Sequence, residues 1–154
     1  MLRLSKKSEY ALMATLHLAR LPPDTRAAVT SIADARSLPR GLLAKVMQDL
    51  KRAGVVSSTK GVMGGYELAR PLAELLFLDV VRPFEESMAL VDCLDGQRSP
   101  CARFDCCTLR DPMATLNQWF LRHLAELNMA DFEQMGLPAP NCASVLPAAV
   151  NPTT

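Results

Sequence analysis

The chain has 154 residues, of which 49% are hydrophobic and 21% charged, and this composition suits one globular domain or a small domain with an appended element. No run approaches the roughly 20 apolar residues that span a bilayer, and the N-terminus lacks a signal-peptide cleavage site, so we expect a cytoplasmic protein with no membrane association. The net charge of +1 is divided unevenly, because residues 1–70 contain 12 Lys or Arg and 5 Asp or Glu, whereas residues 71–154 contain 5 and 11. A basic N-terminal half favours a phosphate-binding surface.

The first third of the chain predicts three helices. Apolar residues at helical spacing predict the first helix over residues 5–20, and two prolines follow it. A second helix is predicted to start at Thr30 or Ser31, since either side chain can cap it. After a short break, a third amphipathic helix is predicted over residues 39–53, with Gly54 placed to end it.

A hairpin is predicted next. Residues 55–59 and 66–69 resemble two short strands, and the segment KGVMGG, residues 60–65, joins them with a basic, glycine-rich tip. The order of helix, short break, helix and basic hairpin is typical of a winged helix-turn-helix. Residues 1–72 are therefore predicted to form a DNA-binding domain.

The remaining sequence predicts a connector, a loop, a long helix and a tail. We expect a connecting helix over residues 73–92, a cysteine-rich loop over 93–111 and a flexible, proline-rich tail over 133–154. The apolar stripe of the helix predicted over 112–132 is typical of a core face, and a long helix beside a small DNA-binding unit is also a common dimerisation element. The predicted fold class is mainly α with a small β-hairpin wing, a winged helix-turn-helix domain plus a long dimerisation helix.

Candidate DNA contacts lie at the start of the third helix and in the hairpin. A recognition helix presents polar side chains to the major groove, and a basic wing tip reaches a minor groove or a phosphate. Each residue alone also fits an ordinary solvated surface, so the order of the elements together with the charge asymmetry carries the prediction. The candidates are Arg40, Gly41, Lys45 and Gln48 on the helix, and Lys60, Gly61, Gly64, Gly65 and Tyr66 in the hairpin.

The same residues resemble a known family. The segment LPRGLLAKVMQDLKRAGVVSSTKGVMGGYELAR, and most clearly its part from Ala53 to Arg70, is similar to the DNA-binding domain of the Rrf2 family of bacterial transcription regulators, which includes the iron–sulfur regulators of the IscR and NsrR kind. The N-terminal LSKKSEYALMATLHLA and the order of the later elements are similar too, so the resemblance covers about residues 1–132. It implies a homodimer that binds a partly palindromic double-stranded DNA operator.

Four of the five cysteines lie in one segment, CLDGQRSPCARFDCC, residues 93–107. Members of this family typically carry three cysteines here that ligate an iron–sulfur cluster, and thiolates are the standard ligands of such clusters. The resemblance implies Cys93, Cys101 and Cys107 as ligands, because the last two match the family's five-residue gap, with Cys106 as the alternative to Cys107. It also implies a [4Fe-4S] or [2Fe-2S] cluster, with nitric oxide or an oxidant as the signal.

Two further positions bear on the fourth ligand. Glu9 falls where some relatives place an acidic residue that reaches the cluster of the partner subunit, although a carboxylate at the start of a helix is also favoured by the helix dipole. Arg110 falls where other members have a histidine ligand. Because arginine cannot ligate iron, a histidine-ligated two-iron cluster is disfavoured.

Cluster-free alternatives stay open. A zinc or soft-metal site prefers close cysteine pairs, which the adjacent Cys106 and Cys107 provide. A thiol–disulfide switch needs no metal, and Arg98, Arg103 and Arg110 would favour thiolates nearby. An enzyme is not expected, because the sequence shows no nucleophile–base set, phosphate loop or dinucleotide fingerprint.

Overall fold

Helices account for most of the regular structure. The computed structural model describes residues 3–61, 64–95 and 101–136. The α-helices are α1 (Lys6–Ala19), α2 (Val29–Arg36), α3 (Arg40–Arg52), α4 (Phe77–Val81), α5 (Arg110–Glu126) and α6 (Met129–Gln134), and the strands are β1 (Val56–Thr59) and β2 (Gly65–Leu68). Short 3-10 turns span Leu72–Glu74, Arg82–Phe84, Asp92–Leu94 and Phe104–Cys106. This architecture confirms the predicted mainly helical class with a two-stranded hairpin.

Two helices of the N-terminal unit begin for different reasons. The Ser5 side chain caps α1 by accepting a hydrogen bond from the backbone N–H of Ser8. The start predicted for α2 at Thr30 or Ser31 is wrong, because α2 begins at Val29 after an alanine cap. The preceding Ala27 is paired with Tyr66 through two backbone hydrogen bonds of 3.0 and 2.9 Å, so the sheet fixes where the chain can enter the helix.

The turn between α2 and α3 has the geometry expected of a helix-turn-helix. Ser37 adopts a left-handed conformation with φ 53°, and the Leu38 N–H donates to the Ala33 carbonyl at 2.8 Å, which ends α2. Pro39 precedes α3, and Gly54 with φ 73° follows it. The core behind this turn consists of the fully buried Ile32, Leu43, Val46, Met47, Leu50 and Val55.

The segment after the hairpin differs from its prediction. The connecting helix predicted over residues 73–92, with Pro83 as a position that could divide it, is much shorter in the structure, since its only α-helical part is the five-residue α4, flanked by 3-10 turns. Pro83 lacks an N–H to continue α4. Glu85 then turns back to α1, where its carboxylate accepts hydrogen bonds from the Ser5 N–H and the Ser8 hydroxyl. These hydrogen bonds connect the chain to α1 at the point where the predicted helix would have continued.

The predicted long helix is divided into two. α5 begins at Arg110 and ends at Glu126, and Asn128 caps α6 by accepting from the Asp131 N–H at 2.8 Å. The break occurs because the intervening backbone pairs with the segment before α4, with Phe77 N–H donating to the Leu127 carbonyl at 2.8 Å. The predicted tail boundary at 133 falls inside α6, and residues 137–154, with Cys142, lie outside the described residues.

α5 lies on the surface of the chain. Over Arg110–Glu126, all of which the structure describes, no residue is buried. Phe120 and Leu124 face the body of the protein and line a cavity of about 160 Å³ with Leu4, whereas Leu116 and Trp119 are 48% and 56% exposed. The helix therefore presents a second apolar strip that the described residues leave uncovered. Among the described helices, none is long and apolar enough to cross a bilayer.

Candidate nucleic-acid interface and cysteine segment

The exposed face of α3 carries the predicted recognition residues. Arg40, Gly41, Lys45 and Gln48 are all exposed, whereas the opposite face of the helix fills the core. Since the same side chains that bury α3 also fix its rotation, the polar residues face outward together. α3 can therefore enter a major groove in the manner of a recognition helix.

Arg40 is held by an acidic side chain of α2. Its Nε and Nη2 atoms donate to Asp34 Oδ1 at 3.1 and 2.8 Å, and Nη2 also approaches Oδ2 at 2.9 Å. The pair bridges the turn between the two helices of the motif. Sequence analysis missed Asp34, because a six-residue separation across a turn produces no helical or strand periodicity.

Gly41 lies at a position where the described residues leave open space. A Cβ atom added at this position would meet no described atom within 4 Å. Glycine lowers the stability of a helix by roughly 0.5–1 kcal/mol relative to alanine. Its presence at the exposed start of α3 is consistent with the close backbone approach to DNA that we predicted.

The hairpin residues separate into an exposed tip and a structural base. Lys60 and Gly61 are exposed at the tip. A Cβ at Gly64 would collide with the Thr59 carbonyl, and one at Gly65 would lie 2.8 Å from the Ala27 carbonyl, so both glycines are required by the close approach of backbones. The partly buried Tyr66 packs against the core and pairs with the strand-like Ala27.

A second connection fixes the hairpin against α3. Lys51 Nζ donates to the Ser58 hydroxyl at 2.7 Å, so the last turn of the helix is joined to β1.

A further hydrogen bond connects the end of α2 to α1, where the Arg36 Nε donates to His17 Nδ1 at 3.2 Å. Partial burial, followed by the charges of Arg36 and Arg20, lowers the pKa of His17, which keeps the ring neutral and able to accept this bond.

The cysteine segment is open. Cys93 lies half-buried in the Asp92–Leu94 turn, Cys101 and Cys106 are exposed, and Cys107 is half-buried; all four are free thiols. Within the residues that the structure describes, no three His, Cys, Asp or Glu side chains come together as a metal-binding group. The donor chemistry fits an iron–sulfur cluster, but the predicted ligands are not preassembled in the single chain.

A cation and an aromatic ring join this segment to α5. The Arg110 guanidinium lies 5.1 Å from the centre of the Phe104 ring, and its Nε donates to Asp111 at 2.9 Å. The hydrogen bond and charge of Asp111 raise the pKa of Arg110, with smaller contributions from Asp105 and Cys107. Arg110 therefore connects the end of the cysteine segment to the start of α5, and an arginine cannot act as an iron ligand.

Glu9 is accessible on the first turn of α1. It forms an ion pair with Lys6, and its side chain is about 40% exposed. Among the described residues it lies in no cluster of metal-binding side chains. A role as ligand therefore requires a cysteine segment from a second subunit, as the prediction stated.

Comparison with known proteins identifies the family. The sequence matches the Rrf2 family model, described as an iron-dependent transcriptional regulator, over residues 4–134. It is 32% identical over 130 residues to the HTH-type transcriptional regulator NsrR of Geobacillus kaustophilus (strain HTA426), covering 84% of this chain and 88% of that protein.

Two solved structures confirm the fold, each at 23% identity. CymR, the global cysteine regulator of B. subtilis, matches with a TM-score of 0.68 over 89% of this chain and 100% of its own. IscR of T. potens matches with a TM-score of 0.65 over 92% of this chain and 96% of its own. Together with the family match, the helix-turn-helix and wing described above show that this chain belongs to the Rrf2 family and is a DNA-binding transcriptional regulator, not an enzyme.

Proposed function

We propose that the protein is a cytoplasmic, dimeric repressor whose operator affinity is set by an iron–sulfur cluster that responds to nitric oxide, redox state or iron–sulfur status. The observation that carries this proposal is the placement of four free thiols between residues 93 and 107, immediately before the exposed helix α5. A segment in this position can couple a chemical change at the thiols to the arrangement of two subunits. The similarity to NsrR over most of the chain supports the same assignment.

Cys93, Cys101 and Cys107 would hold the cluster. When bound, the cluster supplies an iron site that nitric oxide or oxidants can modify, provided that one position is left to a weaker ligand. Three exposed or half-buried thiols on an irregular segment can reorganise to a cluster without disturbing the core, because none of them is buried. Glu9 of the other subunit is the proposed fourth ligand, since its carboxylate is accessible.

The uncovered strip on α5 is the proposed dimer surface. Leu116 and Trp119 are large apolar side chains that remain about half exposed or more on a helix of 17 residues. Burying apolar surface contributes roughly 25 cal/mol per Å², so pairing two such strips favours association. A symmetric dimer then presents two copies of α3 to consecutive half-sites about 34 Å apart.

Cluster binding would act on that spacing. Ligation orders the cysteine segment at the start of α5 and, through Glu9, joins it to α1 of the other subunit. A tenfold change in operator affinity needs a differential free energy of only about 1.4 kcal/mol, which a few ordered contacts can supply. Loss or nitrosylation of the cluster would therefore release the operator.

A cluster-free regulator is the second candidate. Cys106 is exposed and lies beside the half-buried Cys107 in the sequence. It is a fourth thiol, in addition to the three that the proposed cluster uses. Such an adjacent pair of thiols can form a disulfide or take part in binding zinc or another soft metal. This candidate retains every part of the DNA-binding unit and changes only the chemistry of sensing.

Anaerobic purification separates the two candidates. The cluster proposal predicts broad visible absorbance together with iron and acid-labile sulfide in comparable amounts. The Cys106→Ala variant is the matched control, because it removes the surplus thiol and should keep the colour. A wild-type protein that stays colourless after reconstitution with iron and sulfide would reject the cluster and favour zinc or a thiol switch.

A further inference from the structure

We infer that Asp34 is a positioning residue for operator recognition, which holds Arg40 so that the free edge of its guanidinium reads a guanine in the major groove. The inference rests on the proposed role of α3 as the recognition helix. It adds a specificity function to an acidic side chain that lies outside that helix, on α2. The ligand is the O6 and N7 edge of guanine in double-stranded DNA.

The geometry of the pair leaves the correct edge of Arg40 available. Asp34 engages the side of the guanidinium that carries Nε and Nη2, at 2.8–3.1 Å. A guanidinium has five N–H groups in a plane, so the end formed by Nη1 and the second hydrogen of Nη2 stays outside this pair. Two parallel donors at that end match the two acceptors that guanine presents in the major groove.

Protein stability alone does not account for the pair. The Arg40 and Asp34 side chains are 64% and 59% exposed, and ion pairs in such surroundings contribute little to the free energy of unfolding. Asp34 also places a negative charge beside a surface that we expect to approach phosphates. Such a charge repels the phosphates of every DNA sequence. Its net effect is favourable only on a sequence whose bases Arg40 recognises better when Asp34 holds it.

This arrangement predicts opposite effects on two kinds of DNA. Asp34→Asn keeps the size of the side chain but removes its charge and one of the two oxygens that accept hydrogen bonds from Arg40. Affinity for the operator should fall about 5- to 30-fold, within the range set by the roughly 1–3 kcal/mol of a good bidentate base contact. Affinity for an unrelated duplex should stay constant or rise up to about threefold, because a charge that repels phosphates is gone.

The experiment uses the full-length protein and a DNA sequence that the protein itself selects from a library. A randomised 30-base-pair duplex library is enriched on the wild-type protein, and dissociation constants are measured at one salt concentration for the enriched duplex and for a shuffled duplex of the same composition. Asp49→Asn is the matched control, since it removes the same charge from an ion pair with Arg52 near the other end of α3. That control should change both dissociation constants by a similar factor.

Two further variants test whether Asp34 acts through Arg40. In an Arg40→Ala background, Asp34→Asn should cause no additional loss of operator affinity. Arg40→Lys keeps the charge but lacks the fork, so it should reproduce the loss on the operator with little change on the shuffled duplex. Asp34→Glu, which can still pair with Arg40, should recover part of the operator affinity.

The outcomes distinguish this inference from the function on which it rests. Equal effects of Asp34→Asn on both duplexes, or an undiminished effect in the Arg40→Ala background, would overturn the positioning role while DNA binding by α3 stands. If Arg40→Ala changes neither dissociation constant, Arg40 reads no base and the inference fails at that residue. If the wild-type protein enriches no sequence, the proposed operator binding fails as well.

Discussion

In the DNA-binding unit, the candidate contacts are held by neighbouring residues, whereas the thiols of the cysteine segment are not held in a common site. Arg40 is held by Asp34, and the hairpin that carries Lys60 is joined to α3 through the Lys51–Ser58 hydrogen bond and paired to Ala27. Between residues 93 and 107, the described backbone forms only short turns, and no three potential ligands converge. The first region is therefore organised within the single chain, and under the proposed function the second becomes organised only when its ligand binds.

Cys101→Ala tests the second half of this comparison and should have the largest effect. Removing this exposed thiol should abolish the visible absorbance and the bound iron, because Cys101 is one of the three proposed cysteine ligands. The variant should unfold at the same urea concentration as the apo wild-type protein, since Cys101 packs against little. Unchanged absorbance and iron content would contradict the ligand assignment.

Leu50→Ala tests the organised region. Leu50 lies on the buried face of α3 and is fully buried, so its truncation should lower the free energy of unfolding by about 2–5 kcal/mol. Urea titration followed by circular dichroism measures the change, with Cys101→Ala as the exposed control. A loss under about 0.5 kcal/mol would show that α3 is not packed as described.

Leu116→Glu tests whether α5 joins two subunits. A charge placed in the exposed apolar strip should raise the dimer dissociation constant at least tenfold, because it would be buried without a partner. Gln118→Glu adds the same charge on the outer face of α5 and should leave association unchanged. Sedimentation equilibrium measures both, and an unaltered dissociation constant for Leu116→Glu would place the interface elsewhere.

Lys60→Ala tests the hairpin tip with a smaller effect. Loss of one phosphate contact should weaken binding several-fold on all sequences and reduce the slope of log affinity against log salt by about 1. Arg122→Ala, an exposed charge on α5, should leave the slope unchanged. An identical slope for the Lys60 variant would exclude a phosphate contact by the tip.

Gly41→Ala should produce a small change in stability, in the stabilising direction. An added methyl group meets open space and improves helix propensity, so the free energy of unfolding should rise by about 0.5–1 kcal/mol. Operator affinity should fall if the backbone of α3 approaches DNA closely here. Higher stability with unaltered affinity would mean that Gly41 is not near DNA.

The parts of the fold that depend on local sequence were predictable. Helical periodicity, Pro39 and Gly54 located α3, and the two short apolar stretches on either side of the glycine-rich KGVMGG located the hairpin. The division between α5 and α6 was missed because it depends on backbone pairing of Leu127 with Phe77, fifty residues earlier in the chain. The start of α2 was missed for a similar reason, since Ala27 is paired to the hairpin.

The candidate site was predictable as a set of residues and not as an arrangement. The spacing of cysteines and the similarity to the Rrf2 family selected the thiols, and the exposed positions of Arg40 and Lys60 agree with their predicted surface roles. Asp34 gave no signal, because a pairing across a turn follows no period. Under the proposed function the cluster itself orders the segment that carries its ligands, so their positions cannot follow from the sequence.

The most direct test of the account is operator affinity measured on one anaerobic preparation before and after removal of its cluster. The account predicts that the affinity falls at least tenfold on removal, and that Cys101→Ala, prepared in the same way, matches the depleted wild-type protein throughout. Equal affinity of the loaded and depleted wild-type protein would contradict it, because the cysteine segment would then have no influence on the DNA-binding unit.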